Sequence, residues 1–374
     1  MSDPRVLEVA KLVTGYSIDV QPGETVLIHC TVDTVPMAAA MIAEVYKRGG
    51  YPFVNYVNEE LQAALSDGAD RRQAERLMKL RMWHATDMDC IIHLNVPRSL
   101  YAVSSTPKER QKELEKWNLE IQEELGLNWE RSVVKPCVMT FPTYLTANNG
   151  HMSLIEYTDL YYKACTADYP AIGAALERLS SYMNDISEVH LLGVGTDLRF
   201  SVKGMKMLVS AGDRNMPDGE GYCSPVIDSA EGVISYNIPS FYRGTLYENV
   251  VFELSKGKIV KAESNYTDRI NEVLDMDEGA RCIGEFAIAV NPHIVKPSGT
   301  ILFDEKMTGS IHFTPGREIW KAGNGNRSIV HWDLVYCQLP QYGGGEMLFD
   351  GTLVRKDGRF VVPELECLNP EHLV

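Results

Sequence analysis

Residues 24–57 constrain this chain more than any other stretch. The run ETVLIHC (24–30) reads as a strand, and VPMAAAMIAEVYKR (35–48) has the composition and 3.6-residue rhythm of a helix. Gly49-Gly50 ends that helix, and residues 51–57 return to strand-like composition. Two parallel strands need a crossover of about this length, so the segment is expected to form a right-handed βαβ unit. Another strand at 90–95 (CIIHLN) follows a helical stretch at 71–83. The first half is therefore expected to be an α/β domain, a parallel sheet with flanking helices.

Further along, residues 106–125 read as a charged helix with Pro107 near its start. Residues 154–186 read as helix interrupted at Tyr169-Pro170. From Glu188 the pattern changes to short strands and turns, including a hairpin over VVFELSKGKIVKAES with its turn at Lys256-Gly257-Lys258. The expected division is residues 1–186, an α/β domain with a helical extension, and residues 187–374, an α+β, strand-rich catalytic domain. A length of 374 residues accommodates both.

A formal net charge of -15 argues against a nucleic-acid backbone or an anionic membrane surface as partner. No run approaches the roughly 18 apolar residues that span a bilayer, and the start Met1-Ser2-Asp3-Pro4-Arg5 lacks the features of a secretory signal. The eight cysteines are scattered without a C-x-x-C pair, the usage of a reducing compartment. A cytoplasmic location is expected.

The familiar local signatures are missing: H-E-x-x-H, G-x-S-x-G and the Walker-type loop do not occur. Gly193-Val194-Gly195 and Gly323-Asn324-Gly325 lack the third glycine and following helix of a dinucleotide fingerprint and read as turns.

Chemistry is concentrated in the second half. In Ile329-Val330-His331-Trp332-Asp333-Leu334-Val335, read as a strand, His331 and Asp333 share one face while Val330, Trp332 and Leu334 share the other. Two ligand-type side chains on an apolar strand are costly without a partner, and a metal ion would satisfy both. A His–Asp hydrogen-bonded pair at a strand edge is the alternative. Glu285 enters the apolar stretch GEFAIAV, His312 sits between apolar neighbours in GSIHF, and Glu220 follows MPDG. Taken singly, these read more readily as a helix-start or surface acid, a satisfied core histidine and an ordinary turn acid.

Taken together, the segments resemble a known family. Gly195-Thr196-Asp197-Leu198, Asn215-Met216-Pro217 with Glu220, Leu274 through Arg281 (LDMDEGAR), Gly284-Glu285, the region around His312 and Asn326 through Asp333 (NRSIVHWD) run in the order seen in metallo-aminopeptidases of the aminopeptidase T, aminopeptidase S and PepS type. The resemblance implies a two-metal hydrolase releasing N-terminal residues from short peptides or cleaving related amides. It makes Glu220, Glu285, His312, His331 and Asp333 the metal ligands, with Glu285 bridging two ions and carrying the proton. Zinc, cobalt or manganese suits such imidazole and carboxylate ligands. Arg317, Glu318 and Trp320 would line the substrate pocket, and a homodimer is implied. Two positions depart from the pattern: Ile319 stands where the family has a tyrosine, and Met307 where it has a further glutamate, with Glu305 two residues before it. The alternative is a resemblance to a ring-cleaving dihydroxypyridine dioxygenase, in which His312, His331 and Asp333 would hold a single iron.

Overall fold

The computed structural model describes residues 3–94, 96, 98–99, 107–124 and 134–374. Two compact units divide the chain: residues 1–148, 152–166 and 212–216 form one, and residues 149–151, 167–211 and 217–374 form the other.

The first unit contains the expected parallel sheet. Its strand order is Tyr51–Tyr56, Thr25–Cys30, Cys90–Leu94, Lys135–Met139 and Asn215–Met216, and every pairing is parallel. The crossover helix runs Val35–Lys47, entered through a reciprocal Thr31–Thr34 capping box with Pro36 in its first turn. It stops at Gly49, whose φ of +79° suits glycine. Tyr51–Tyr56 lies at the sheet edge, so four of its side chains are exposed although its composition reads as strand. The helical stretches at 71–83 and 106–125 become Arg71–Thr86 and Lys108–Glu124. Asn95, Thr106 and Leu125, expected ends of elements, lie outside the described residues. The interruption at Tyr169-Pro170 separates helices Leu154–Cys165 and Tyr169–Met183, the latter capped by the Asp168 side chain.

The second unit is built on two antiparallel sheets. One has eight strands in the order Lys258–Glu263, Val251–Ser255, Glu231–Ser235, Thr196–Ser201, Glu188–Gly193, Glu346–Phe349, Thr352–Lys356 and Arg359–Phe360. The hairpin turn falls as expected, with Lys256 and Gly257 at φ +49° and +73°, the primed-turn geometry that matches strand twist. The other sheet has five strands: Val335–Cys337, Ser310–Pro315, Ile283–Ala289, Glu220–Cys223 and Leu208–Ser210. Its two central members, Ile283–Ala289 and Ser310–Pro315, are buried along their whole length. Phe200 of the eight-stranded sheet packs against Phe286 and Phe313, ring centroids 4.9 Å away in both cases. This aromatic contact fixes which face of the five-stranded sheet meets the other sheet. The opposite face carries the polar side chains.

One sequence expectation needs correction. Residues 329–335 do not form a continuous ladder strand: the strand begins only at Val335, and His331 makes an isolated bridge to Gly316. The segment is nevertheless extended alongside residues 313–317. Arg317 N bonds Val330 O at 2.6 Å, Trp332 N bonds Pro315 O at 3.3 Å, and Phe313 N bonds Leu334 O at 3.1 Å. The expected alternation therefore survives without the ladder, with Val330, Trp332 and Leu334 buried.

Candidate metal centre

Register decides what meets on the face turned away from Phe286 and Phe313. In antiparallel pairs, directly opposite residues point the same way. Glu220 is opposite Ala289, Tyr222 and His312 are both opposite Ala287, and Glu285 is opposite Thr314. All share one face, and alanines at 287 and 289 leave space between the longer side chains. Phe286 and Phe313, opposite each other, face the other way.

Glu285 sits just after a register shift between Ile283 and Glu285. Gly284 allows it: a Cβ there would lie 2.2 Å from Arg317 O and 2.4 Å from Gly316 O. Gly284→Ala is expected to lose about 1–3 kcal/mol of stability, the usual cost of overpacking, and to displace Glu285. Chemical denaturation with a parallel metal-binding titration checks both; unchanged values for both would show that the backbone yields freely.

His331 and Asp333 arrive on a loop clamped from behind. Asp277 accepts from Ser328 Oγ at 3.0 Å and from Ile329 N at 2.7 Å, while Asn326 Nδ2 donates to Gly279 O and Gly316 O at 2.9 and 2.6 Å. The LDMDEGAR and NRSIVHWD segments thus bind each other. His331 Nδ1 is 2.8 Å from Arg317 O, an arrangement that leaves Nε2 as the lone-pair nitrogen. Thr314 Oγ1 donates to Asp333 Oδ1 at 2.7 Å.

The five candidate residues converge. His312 Nε2 is 3.6 Å from Glu220 Oε2 and 3.5 Å from Glu285 Oε1; His331 Nε2 is 3.4 Å from Glu285 Oε2 and 3.6 Å from Asp333 Oδ1. These separations are long for hydrogen bonds. They match two ligands of one ion, since ligand atoms about 2.0–2.1 Å from a tetrahedral metal stand roughly 3.4 Å apart. Two overlapping groups result, Glu220–Glu285–His312 and Glu285–His331–Asp333, each with its ligand atoms within 4.8 Å of one another. Glu285 belongs to both, one oxygen toward each histidine. Glu220 Oε2 is buried with no hydrogen-bond partner, an expense that a cation would relieve. The residues present therefore fit a metal ion.

Three further charged residues join this cluster, and only one was weighed from the sequence. Glu305, set two residues before Met307, follows the short helix Ile301–Asp304 and is buried. Its carbonyl is 3.3 Å from His312 Nδ1. Burial raises its carboxyl pKa, with Lys306 opposing and Asp333 adding to the rise. Lys306 is buried as well; it donates to Glu220 Oε1 and lies 2.9 Å from Glu305 Oε1 and 4.0 Å from Asp218 Oδ1. Asp218 is fully buried, held by Ser210 Oγ at 2.6 Å. The run Asp304-Glu305-Lys306 reads as a solvated surface stretch, and nothing in its local pattern announces that all three are buried.

Burial pushes the Glu220 carboxyl up to about 8 against the pull of Lys306 and His312. Burial also opposes charge on His312 and His331, but carboxylates outweigh it and raise both: chiefly Glu220 for His312, Asp333 for His331. For Asp333, burial is overcome by the two histidines, and its pKa falls.

The proposed pocket residues lie nearby in sequence but differ in setting. Arg317 is exposed and supplies its carbonyl to His331. The Glu318 carboxylate accepts from Gly325 N and so clasps the turn at residues 323–325. Trp320 opens the short helical turn Trp320–Ala322, preceded by Ile319.

The model of the thermophilic metalloprotease (M29) family matches residues 2–343. The chain belongs to that family. Among curated relatives, aminopeptidase T of Thermus thermophilus is 28% identical over 52% of this chain and 55% of its own length. Aminopeptidase AmpS of Bacillus subtilis is 28% identical over 46% of each chain, and aminopeptidase PepS of Streptococcus thermophilus is 22% identical over 93% of this chain and 94% of its own. The match thus spans about half the length of the first of these relatives. The solved structure of wild-type AmpT from Thermus thermophilus superposes with a TM-score of 0.79 at 20% identity, covering 96% of this chain and 99% of that one, and shows the M29 fold here. No helix among the described residues is long and apolar enough to cross a membrane.

Proposed function

We propose that this M29 chain is a metal-dependent aminopeptidase that releases N-terminal residues from short peptides or cleaves related amides. The observation that carries the reading is Glu285, whose two oxygens face His312 and His331 separately, inside two overlapping ligand groups. Membership of a metalloprotease family and relatives named aminopeptidases support the substrate class. Glu220, Glu285 and His312 would hold one divalent ion, and Glu285, His331 and Asp333 a second, with Glu305 a further ligand beside His312. Two such ions, zinc, cobalt or manganese, supply acidification of a water and polarisation of the scissile carbonyl. Thr314 and the Arg317 carbonyl hold Asp333 and His331 in aim. Glu285 would pass the proton from the attacking water to the departing amine through one carboxylate oxygen that gives up its ligand role during the transfer, while the other oxygen keeps its own. Arg317, Glu318 and Trp320 would contact the peptide beyond the scissile bond. A cytoplasmic homodimer completes the reading; the free state of all eight cysteines suits a reducing compartment.

Elemental analysis of the purified protein tests this. Two zinc, cobalt or manganese ions per chain after equilibration with excess metal, with turnover on a panel of short peptides and amides, is the expected result. One iron per chain with oxygen uptake on aromatic diols would overturn it. The single-iron arrangement lacks geometric support, because His312, His331 and Asp333 do not form one of the close ligand groups among the described residues.

Metal binding should also be pH-linked. Both histidines have raised pKa values in the metal-free protein and must lose their protons to act as ligands. Binding near neutral pH therefore releases protons, and affinity falls as pH falls. Calorimetric titrations in buffers of different ionisation enthalpy read the number released; zero protons at pH 7 would contradict a protonated His312 in the metal-free protein.

A further inference from the structure

Five carboxylates, from Asp218, Glu220, Glu285, Glu305 and Asp333, gather around the two histidines, and one buried ammonium stands among them. Lys306 does not sit centrally. Its ion-pair partners are Glu220, Glu305 and Asp218, on the side of the Glu220–Glu285–His312 group. It occupies Glu220 Oε1, so only the orphaned Oε2, 3.6 Å from His312 Nε2, remains for an ion. The other group, Glu285–His331–Asp333, includes none of these partners and is the more open of the two, with the His331 and Asp333 side chains 23% and 18% exposed.

We propose that Lys306 is a built-in cation of the metal centre that makes its two ion positions unequal, weakening the deep Glu220–Glu285–His312 position while leaving the outer Glu285–His331–Asp333 position tight. The inference rests on the metal-centre reading above and assigns a role to a residue that is itself no ligand. An ion at the deep position shares the Glu220 carboxylate with an ammonium a few ångströms away, in a setting from which water is excluded. None of the outer ligands forms an ion pair with that ammonium, whose charge reaches Asp333 only at longer range. Coulomb repulsion falls with distance, and in partly buried surroundings the difference amounts to an affinity ratio on the order of tenfold or more. The deep ion would then exchange with the medium while the outer ion stays. Lys306 would also hold Glu220 and Glu305 apart when the deep position is empty, so that it does not collapse between fillings. It acts through these carboxylates and is a positioning residue.

The test is a cobalt titration of the full chain after chelator treatment, followed by calorimetry and by the visible absorption of the bound ion. Wild type is expected to show two classes of ion separated by at least about tenfold, or one tight ion with the second unsaturated. Lys306→Met, close in length and uncharged, should raise the weaker class by about tenfold or more and shift the tighter one by less than about threefold. Lys306→Gln serves as the second variant if Lys306→Met does not fold. Two ions of indistinguishable affinity in wild type would overturn the inference while leaving the metal centre standing, and that measurement needs no variant. A weak class that stays weak in folded Lys306→Met would overturn it equally. Absence of any binding in wild type would remove the functional reading itself, a distinguishable failure.

Discussion

Glu285→Ala protein is expected to fold, to retain neither ion and to lose kcat/KM by about 10³-fold or more. The size follows from the several kcal/mol that bound ions contribute to transition-state stabilisation, each ~1.4 kcal/mol being a decade in rate. Glu285 is the one residue common to both ligand groups, so its removal opens both positions at once. His331→Ala or Asp333→Ala, by contrast, opens only the outer group. The fold is expected to tolerate the change, because Glu220 remains beside His312 and Asp333 beside His331 as counter-charges. The clearest readout is the melting temperature with and without metal. Wild type should gain about 2.7 kcal/mol for each ion whose free concentration is a hundredfold above its Kd, and Glu285→Ala should gain almost nothing. A Glu285→Ala protein holding two ions with wild-type turnover would remove the site assignment.

The neighbouring residue should behave in the opposite way. Phe286→Ala is expected to cost about 3–5 kcal/mol of stability, the range for deleting a buried aromatic side chain. Phe286 is fully buried, meets Phe200 edge-on at 4.9 Å and lies opposite Phe313, so truncating it opens a cavity between the two sheets. Its side chain leaves the face opposite to the ligands, so the folded fraction should still bind metal in the wild-type ratio. A guanidinium midpoint shifted downward at unchanged slope, together with unchanged metal stoichiometry, is the expected pair of observations. A loss below about 1 kcal/mol would mean that the sheets are not held by this contact. Adjacent residues of one strand would thus separate chemistry from stability, one face to each.

Much of the fold was legible because it is written locally. The βαβ segment at 24–57, the helix break at Tyr169-Pro170 and the hairpin turn at Lys256-Gly257 each depend on periodicity or on the conformational limits of a few neighbouring residues. The alternation of His331 and Asp333 against Val330, Trp332 and Leu334 was legible for the same reason. The ladder assumed for it was not, since hydrogen bonding there depends on residues 313–317 running alongside.

The sequence by itself determined the parallel sheet of the first unit, the strand-rich character of the second and, through the order of several weak segments, the resemblance that brought Glu220, Glu285, His312, His331 and Asp333 together. Only the tertiary structure decided that Glu285 turns one oxygen to each histidine, that Gly284 must be small to let it, and that Asp218, Glu305 and Lys306 join the cluster. Lys306 meets Glu220 across 86 positions of chain. Such a meeting is set by strand order and register between distant segments, whereas a charged run read locally is assigned to water. Glu305, Lys306 and Glu220 compensate one another's charge, while Asp304 accepts from Ser298 N and Gly299 N, and such partners are visible only once the chain is folded.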